Sequence, residues 1–293
     1  MQHLDLESLA CVDALAQTLS FRAAAKSCAL SPAAFGKRVQ QVEEQLATTL
    51  FHRTTRKVQL TPEGTALLPR VRRLLAEARS LTSEARGEEP PVDVVLGTRH
   101  ELGMSWLLPA RRRLAARLPH VTVHLRFGHT DELEAALLSL RADAVIISRV
   151  PKTRRLDALP LHREDYVLVA SPRLIAERPL KRPEHAREHV LVDADDALPL
   201  FSYLRGPGRS LRFSSHLTLG TIAAIRQEVL DGGGVAVLPR YFVRTDLERR
   251  RLVRVLPRLC IAHDFFRLLF RADDPKRGLL ERIGEILAEV PLK

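Results

Sequence analysis

The sequence predicts an N-terminal helical domain followed by an α/β region, and two observations lead to this fold class. Three capped helix starts follow one another closely near the N-terminus. Beyond residue 91, short apolar runs alternate with amphipathic segments of helical period, which is typical of a sheet covered by helices. These runs lie at residues 92–96, 121–125, 144–147, 166–170, 190–192, 235–238 and 265–270. The segment 87–91 contains a glycine and two prolines that stop a helix, and we interpret it as the linker.

The chain has 293 residues, enough for two or more domains, and a formal net charge of +11. An excess of lysine and arginine favours a polyanionic partner. A GC-rich genome gives the same excess, and the arginines are spread over the whole chain, so charge alone decides little. No apolar run is long enough to cross a bilayer, and Asp5 and Glu7 stand where a secretory leader would be basic. We therefore expect a cytoplasmic protein with no membrane partner.

The three cysteines, Cys11, Cys28 and Cys260, form no CxxC pair, and their number is odd. This argues against a disulfide framework and against a zinc site. We interpret Cys11 and Cys28 as small buried apolar residues, because both fall at apolar helical positions. Since Cys260 is the only thiol beyond the N-terminal region, we expect no peroxide switch built on an intradomain cysteine pair.

Capping residues mark the N-terminal helix starts. Asp5 and Ser20 each precede a helical segment. Ser31 followed by Pro32 is a strong start, because serine accepts the free N–H groups and proline presets φ. Only residues 28–30 separate the second helix from the third. Two short helices joined by so tight a turn predict a helix-turn-helix.

The third predicted helix has one apolar and one polar face. The apolar stripe consists of Phe35, Val39, Val42 and Leu46. The opposite face consists of Ala33, Lys37, Gln40 and Gln41, with Gly36 at its edge. Small residues would let the helix approach base edges, to which lysine and glutamine can donate hydrogen bonds. An ordinary solvated face fits this helix about equally well.

A basic turn follows that helix. Arg53, Arg56 and Lys57 cluster before the alternating apolar residues Val58 and Leu60. This pattern is typical of a wing, whose basic side chains contact the phosphates beside a recognition helix. The wing makes DNA binding the favoured interpretation of the third helix.

The N-terminal residues resemble the LysR-type transcription regulators. The resemblance rests on Leu19-Ser20-Phe21 followed by two alanines, Leu30-Ser31, Val42-Glu43-Glu44-Gln45-Leu46, Leu50-Phe51-His52-Arg53-Thr54 and Leu60-Thr61-Pro62-Glu63-Gly64. It implies a sequence-specific regulator that binds an interrupted inverted repeat in double-stranded DNA. The residues expected to contact DNA are Ser20, Arg22, Ser31, Pro32, Ala33, Gly36, Lys37, Arg38, Gln40, Gln41, Arg53, Thr54, Arg56 and Lys57.

Two departures limit what this resemblance implies. The family often has Ser-Gln-Pro-Ala-Leu-Ser-Arg at the recognition helix, whereas residues 31–37 are Ser-Pro-Ala-Ala-Phe-Gly-Lys. The operator sequence therefore cannot be carried over. Ala47 stands where the family usually has glycine. A left-handed conformation there would cost about 1 kcal/mol, unless the helix runs further.

Residues 61–86 are predicted to form one long helix, which Pro69 should kink. Its apolar stripe consists of Leu67, Val71, Leu74, Ala78 and Leu81. In the resembled family the linker helix pairs with its twin, so the resemblance implies a homodimer or homotetramer. The alternative is that the stripe packs on its own winged domain.

From residue 92 onward the chain resembles the family's effector domain, which has two lobes like periplasmic binding proteins. The matching motifs lie at residues 94–98, 106–109, 143–146 and 232–239. The implied domains are a winged helix-turn-helix at 4–61, a linker helix at 62–89 and an effector domain at 90–293. Lobe I then covers about 90–164 and 265–293, and lobe II about 165–264.

The resemblance places a small-molecule effector between the two lobes. Thr98 follows the first strand, where family members use serine or threonine to contact the effector. Arg99 and His100 come next and suit an anionic ligand. An ion pair of Arg99 with Glu101 or another acid is at least as compatible with the sequence. Further candidates, which could instead cap a helix, form a turn or join the core, are Thr130, Ser148 and Phe201.

Two other function classes are disfavoured. An enzyme would need a catalytic motif, and the sequence contains no GxSxG, HExxH, P-loop or GxGxxG. His185 and His189 are four residues apart, but no third ligand is near in sequence. We therefore expect no catalytic residue, metal or cofactor. An architectural DNA-binding protein with a degenerate sensor fits poorly, because strands and helices alternate intact through the second part of the chain.

Overall fold

The computed structural model describes residues 4–53, 58–85, 91–151, 153–194, 200–205 and 210–292. Near the N-terminus lie the helices α1 (Leu6–Thr18), α2 (Phe21–Ser27) and α3 (Pro32–Gln45). The caps expected from the sequence form, because Asp5 Oδ1 accepts the Ser8 N–H at 2.7 Å and Ser31 Oγ accepts the Ala34 N–H at 3.2 Å. The apolar stripe of α3 packs into the core of this helical part through Phe35, Val39 and Val42, which are fully buried.

A two-stranded ribbon and a long helix follow. Strands β1 (Phe51–Arg53) and β2 (Val58–Leu60) pair antiparallel. Thr61 then precedes α4 (Pro62–Ala85), and its Oγ1 accepts the Gly64 N–H at 2.9 Å. This helix contains Pro69 and corresponds to the long helix expected from the sequence.

The rest of the described chain is an α/β region. Its strands are β3 (Val92–Thr98), β4 (Val121–Phe127), β5 (Ala144–Ile147), β6 (Leu156–Glu164), β7 (Tyr166–Ala170), β8 (Val190–Asp193), β9 (Ser215–Thr218), β10 (Val235–Pro239), β11 (Val253–Arg254) and β12 (Asp264–Arg271). Its helices are α5 (His100–Leu102), α6 (Leu108–Arg117), α7 (Thr130–Leu138), α8 (Pro172–Glu177), α9 (Ile222–Leu230), α10 (Arg240–Glu248) and α11 (Arg277–Ala288). Short stretches of π or 3-10 helix lie at Gly103–Leu107, Pro183–Glu188 and Leu200–Tyr203.

These strands form two five-stranded sheets, which are the cores of two lobes. The first sheet has the order β4-β3-β5-β12-β6 and the second the order β11-β7-β10-β8-β9. In the first, β3 and β5 are parallel while β12 runs antiparallel to β5 and β6. In the second, β8 is parallel to β9 and β10, whereas β7 is antiparallel to β10 and β11. The chain crosses between the lobes from β6 to β7 and returns from β11 to β12.

Every apolar run that the sequence identified lies in a strand, so the α/β assignment is confirmed. In the α/β region, strands β6, β9 and the two-residue β11 lie outside those runs. Strand β6 contains Pro160, and most of its residues are partly exposed. Strand β9 is exposed along its whole length. Among the described residues, no helix combines the length and the apolar character that a membrane span requires.

Candidate DNA interface and effector cleft

The polar face of α3 points to solvent. Ala33, Lys37, Gln40 and Gln41 are all exposed. Because the buried stripe on the opposite side fixes the rotation of the helix, these side chains stay available to a partner. The geometry matches the requirement of a helix that inserts into a groove, namely a rigid support on one side and short or hydrogen-bonding side chains on the other.

Gly36 lies at the edge of this face and borders open space. A Cβ atom at this position would meet no other atom within 4 Å. Packing within the protein therefore does not require glycine here. A glycine in the interior of a helix costs about 1 kcal/mol relative to alanine. Close approach of another molecule to this face would account for it.

Arg53, the last residue of β1, is held from two sides. Its guanidinium pairs with Glu43 and lies 5.0 Å from the centroid of the Phe21 ring. The Glu43 carboxylate also accepts the N–H groups of Leu50 at 2.8 Å and Phe51 at 3.1 Å. Glu43 thereby connects α3 to the first strand of the wing, and it orients the arginine that was expected to contact phosphate.

The other residues expected to contact DNA occupy varied positions. Ser20 caps α2, accepting the Ala23 N–H at 3.4 Å, and Arg22 is exposed on that helix. Pro32 is exposed in the first turn of α3, directly after the capping Ser31. Arg38 forms an ion pair with Glu7 at 2.5 Å. Outside the described residues lie Thr54, Arg56 and Lys57, and with them most of the linker at 87–91.

In the α/β region, the end of β3 carries the first effector candidates. Thr98 is buried, and its hydroxyl donates to the Ile146 carbonyl of neighbouring β5 at 3.1 Å. The buried Arg99 pairs with the fully buried Glu164, the last residue of β6, at 3.4 Å. Ser148 follows β5 and donates to the second carboxylate oxygen of Glu164 at 2.8 Å. The fold thus brings Arg99 and Ser148 onto one carboxylate.

Glu164, rather than Glu101, is therefore the acid that pairs with Arg99. The Glu101 carboxylate accepts the Ala223 N–H at 3.4 Å, at the N-terminus of α9. A carboxylate is favoured at that end of a helix by the free N–H groups and the dipole. Since α9 belongs to the second lobe, Glu101 connects the two lobes at the cleft.

Burial dominates the electrostatics around this ion pair. Burial raises the pKa of the Glu164 carboxyl, and the adjacent Arg99 guanidinium opposes that rise. Burial also raises the pKa of Tyr241 on α10, which lies near both groups. Within the described residues, the Tyr241 hydroxyl has no hydrogen-bond partner. A buried hydroxyl without a partner can take part in binding a polar ligand.

A second polar group lies where the chain crosses between the lobes. Tyr166 begins β7 and stacks on Tyr203, with the ring centroids 3.9 Å apart. The Tyr203 hydroxyl donates to Asp264, the first residue of β12, at 3.1 Å. Tyr203 thus links the starts of β7 and β12, the two places at which the chain enters the next lobe.

The remaining effector candidates lie beside other groups. His100 is exposed, and its ring centroid is 5.5 Å from that of Phe127. Thr130 is the first residue of α7. Phe201 packs edge-on against Phe213, at a centroid distance of 5.7 Å, next to the core of the second lobe. Searched across the described residues, the structure holds no group of three or more His, Cys, Asp or Glu suited to a metal ion.

Sequence reasoning missed Glu43, Glu164 and Tyr241. Glu43 and Glu164 act on partners that lie elsewhere in the chain, and Tyr241 is singled out only by its burial near Arg99 and Glu164, so no local spacing identifies any of the three. The sequence offered only a weak signal for Tyr241, which stands two residues after the proline that closes the glycine-rich motif at 232–239.

Comparisons with known proteins agree with both parts of the chain. Residues 6–65 match the family model described as the bacterial regulatory helix-turn-helix protein, lysR family. Residues 88–291 match the LysR substrate binding domain. The transcriptional regulator PtxR of Pseudomonas aeruginosa is 28% identical over 263 residues, covering 88% of this chain and 83% of the relative. A hydrogen peroxide-inducible genes activator of Haemophilus influenzae is 26% identical over 296 residues, covering 97% and 95%.

Solved structures show the same fold. A full-length OxyR variant from Pseudomonas aeruginosa aligns with a TM-score of 0.71 at 18% identity, covering 100% of this chain and 97% of that one. ArgP from Mycobacterium tuberculosis aligns with a TM-score of 0.69 at 19% identity, covering 98% of each.

A helix-turn-helix unit followed by a two-lobed effector-binding region defines a DNA-binding transcription regulator. The chain belongs to the LysR family of such regulators.

Proposed function

We propose that α3 lies in the major groove of an interrupted inverted repeat, with the wing on the adjacent phosphates, and that a small molecule bound between the lobes controls this binding. The observation that carries the proposal is the exposed face of Lys37, Gln40 and Gln41 beside the open Gly36. These side chains can donate to base edges, and the missing side chain at position 36 permits close approach.

Binding of the purified protein to its own promoter region, followed by fluorescence anisotropy, tests the DNA part. Lys37→Ala should weaken binding by about tenfold, the equivalent of one lost base contact. Lys181→Ala removes the same charge from an exposed position in the effector region and should leave affinity unchanged. Equal effects of the two variants, or no preference over random DNA, would contradict the proposal.

Two expected contacts are distinguished by their dependence on sequence and salt. Lys37→Ala should change the order of affinities among operator variants, since it removes a base contact. Arg53→Ala should weaken binding to all operators alike and should lower the slope of log affinity against log salt by about 1. Unchanged relative affinities for Lys37→Ala would exclude its contact with bases.

We propose that the C-terminal half of α4 pairs with its twin in a homodimer, which could assemble further into a tetramer. Val71 of α4 is buried against the helical core, whereas Leu74 and Leu81 are 54% and 64% exposed. An apolar stripe left in water favours a partner, and a two-fold dimer suits an inverted repeat. Light scattering tests this: Leu74→Glu with Leu81→Glu should lower the molecular mass in solution, while the exposed Arg79→Glu should not.

For the effector we propose a site formed by Thr98, Arg99 and Ser148, with His100, Thr130 and Phe201 further out. We also propose the domain limits expected from the sequence, namely a winged helix-turn-helix at 4–61, a linker helix at 62–89 and an effector domain at 90–293. Lobe I of the effector domain would cover about 90–164 and 265–293, and lobe II about 165–264. The Arg99 guanidinium suits an anionic ligand, but the ligand would have to share this guanidinium with the Glu164 carboxylate. Burial raises the pKa of the Glu164 carboxyl and Arg99 opposes that rise, so an anionic ligand would compete with Glu164 for the same guanidinium.

A thermal-shift screen against small metabolites tests the effector part, because a ligand that binds the native state raises the melting temperature. Carboxylates should be the first class to produce a shift, and Arg99→Gln should abolish it while Lys181→Ala retains it. DNA binding with no response to any metabolite class would instead favour an architectural role with a degenerate sensor. A response only to cations would contradict the anionic assignment.

A further inference from the structure

Three polar groups at the cleft keep unused hydrogen-bonding capacity. The Arg99 guanidinium carries several N–H donors, yet within the described residues it donates only to Glu164, at 3.4 Å. A close contact between such charged groups is about 2.7–2.9 Å long. In the part of the chain that the structure describes, the buried Tyr241 hydroxyl has no hydrogen-bond partner. Because buried polar groups normally find partners, these groups can bind one more polar molecule.

A single aromatic ring brings Arg99 and Tyr241 together. Phe266 of β12 is fully buried. The Arg99 guanidinium carbon lies 5.9 Å from the centroid of this ring, and the Tyr241 ring packs edge-on against it at a centroid distance of 5.8 Å. Arg99 follows β3 of the first lobe, whereas Tyr241 belongs to α10 of the second. The Arg99 side chain is 11% exposed and that of Glu164 is fully buried, so a molecule that enters the cleft reaches the guanidinium first.

The charges around Arg99 decide which kind of ligand fits. Two carboxylates act on this one guanidinium, those of Glu164 and Glu101. A ligand with only a carboxylate would take Arg99 from Glu164 and add a third negative charge. A ligand with only an ammonium group would take Glu164 from Arg99. Either exchange leaves one member of a buried ion pair without its partner, which is strongly unfavourable.

A ligand that carries both charges avoids this loss. Its carboxylate can accept from Arg99 while its ammonium group donates to Glu164, so each buried charge keeps an opposite charge beside it. Burial raises the pKa of the Glu164 carboxyl, and a second cation beside it would favour the ionised form, as Arg99 already does. The Tyr241 hydroxyl, which can donate or accept, supplies a third contact.

We propose that the effector is a small zwitterion, with a carboxylate bound by Arg99 and an ammonium group bound by Glu164, which is the chemistry of an amino acid. This inference rests on the proposed function, because it names the ligand class of the same cleft. Glu164 then distinguishes amino acids from simple carboxylates, and Tyr241 connects the bound molecule to the second lobe.

Thermal shift of the full-length protein provides the first test. The probes are the common α-amino acids, β-alanine and γ-aminobutyrate, and at least one of them should raise the melting temperature. For each amino acid that does so, calorimetric titration compares it with its corresponding hydroxy acid and with its amide. The hydroxy acid lacks the ammonium group, and the amide lacks the carboxylate. Each should bind at least about tenfold more weakly, as for one lost hydrogen bond between charged groups.

Two variants assign the contacts. Glu164→Gln removes the negative charge with little change in size, so it should remove the preference for the amino acid over its hydroxy acid. Glu184→Gln removes the same charge from an exposed position and should retain that preference. Tyr241→Phe removes a hydroxyl that has no partner among the described residues, so the stability of the unliganded protein should not fall. The amino acid should nevertheless bind to Tyr241→Phe about fivefold more weakly.

The outcomes separate this inference from the proposed function. A hydroxy acid that binds the parent protein as tightly as its amino acid would overturn the zwitterion, whether or not Glu164→Gln folds. A shift with plain carboxylates and with none of the amino acids would do the same, and the proposed effector cleft would stand. A preference for the amino acid that persists in Glu164→Gln would overturn the role of Glu164. If no metabolite of any class changes the melting temperature, the effector part of the proposed function fails as well, and promoter binding still decides the DNA part.

Discussion

The proposed DNA-binding surface of α3 and the proposed effector cleft near Arg99 should meet their partners in opposite ways. On α3, Lys37 and Gln41 are exposed, and the protein uses the other side of the helix for its own core. In the cleft, Arg99 and Glu164 are buried and already satisfy each other. The first surface can bind a rigid polyanion without rearrangement. The second can bind a small ligand only by exchanging internal contacts for external ones, which is what a conformational sensor requires.

Breaking the Arg99–Glu164 pair is the strongest challenge to this comparison. Arg99→Met should destabilise the effector region by about 3 kcal/mol, because it leaves a buried carboxylate without its cation. Urea unfolding followed by the fluorescence of Trp106, the only tryptophan in the sequence, reports this region directly. Affinity for promoter DNA should change far less than stability.

The matched control removes both charges. Arg99→Met combined with Glu164→Leu should return stability to within about 1 kcal/mol of the parent, since a buried ion pair and an apolar pair of similar size are often equivalent. If the single variant is as stable as the parent, the cleft is not held by this pair, and the contrast with α3 fails.

Removing Glu43 tests whether the DNA-binding side also depends on internal contacts. Glu43→Ala leaves the N–H groups of Leu50 and Phe51 without their acceptor and frees Arg53. The helical part should lose about 2 kcal/mol of stability, measured by hydrogen exchange of α1–α3, and DNA binding should become weaker. Gln40→Ala removes only an exposed partner of Glu44 and serves as the stability control, which should show little change.

The pH dependence of stability sharpens the same contrast. Because the folded pKa of Glu164 is raised, the native state binds its proton more tightly than the unfolded chain. The relevant pH window begins at 4.5, the usual pKa of glutamate, and ends at the raised pKa of Glu164. Within this window the free energy of unfolding should fall as the pH rises. Below this window the contribution of Glu164 is fully present.

Glu164→Gln removes this titration. The free energy of unfolding of the parent, minus that of the variant, should therefore become smaller as the pH rises through the window. Urea unfolding of both proteins at a series of pH values measures it. If the parent instead gains stability relative to the variant as the pH rises, Arg99 holds Glu164 ionised and burial is the smaller influence.

The two surfaces also differ in how far the sequence predicts them. The α3 face follows from helical period and from the caps Asp5 and Ser31, which are local signals. The sequence proposes Thr98, Arg99 and Ser148 because each lies at or just beyond the carboxyl end of a predicted strand. The carboxylate that joins two of them, Glu164, lies far along the chain from Arg99 and has no local pattern.

The same reasoning explains the other omissions. The exposed strand β9 carries no apolar alternation, and β6 contains a proline that normally argues against a strand. Cys11 and Cys28 are both at apolar helical positions, so the sequence identifies each as a core residue.

Gly36→Ala tests the open face of α3 with the smallest possible addition. The added methyl group should stabilise the helix, by up to about 1 kcal/mol, because alanine is the better helix former. It should nonetheless weaken DNA binding by about tenfold if the face approaches base edges closely. Gly278→Ala on α11 likewise fills open space at an exposed helical position, and it should leave DNA affinity unchanged. Parental affinity in Gly36→Ala would show that the groove does not come so close.

The reverse exchange at the other end of the helix completes the comparison. Ala47, just beyond α3, has a left-handed φ of 48°, which is the conformation that the family's usual glycine accommodates. Ala47→Gly should therefore stabilise the helical part by about 1 kcal/mol, although the same substitution inside a helix would destabilise it. Hydrogen exchange of α1–α3 measures the gain, and promoter affinity should stay within twofold of the parent, about 0.4 kcal/mol. Lower affinity despite higher stability would place the end of α3 at the DNA as well, and the interface would then extend beyond the face around Gly36.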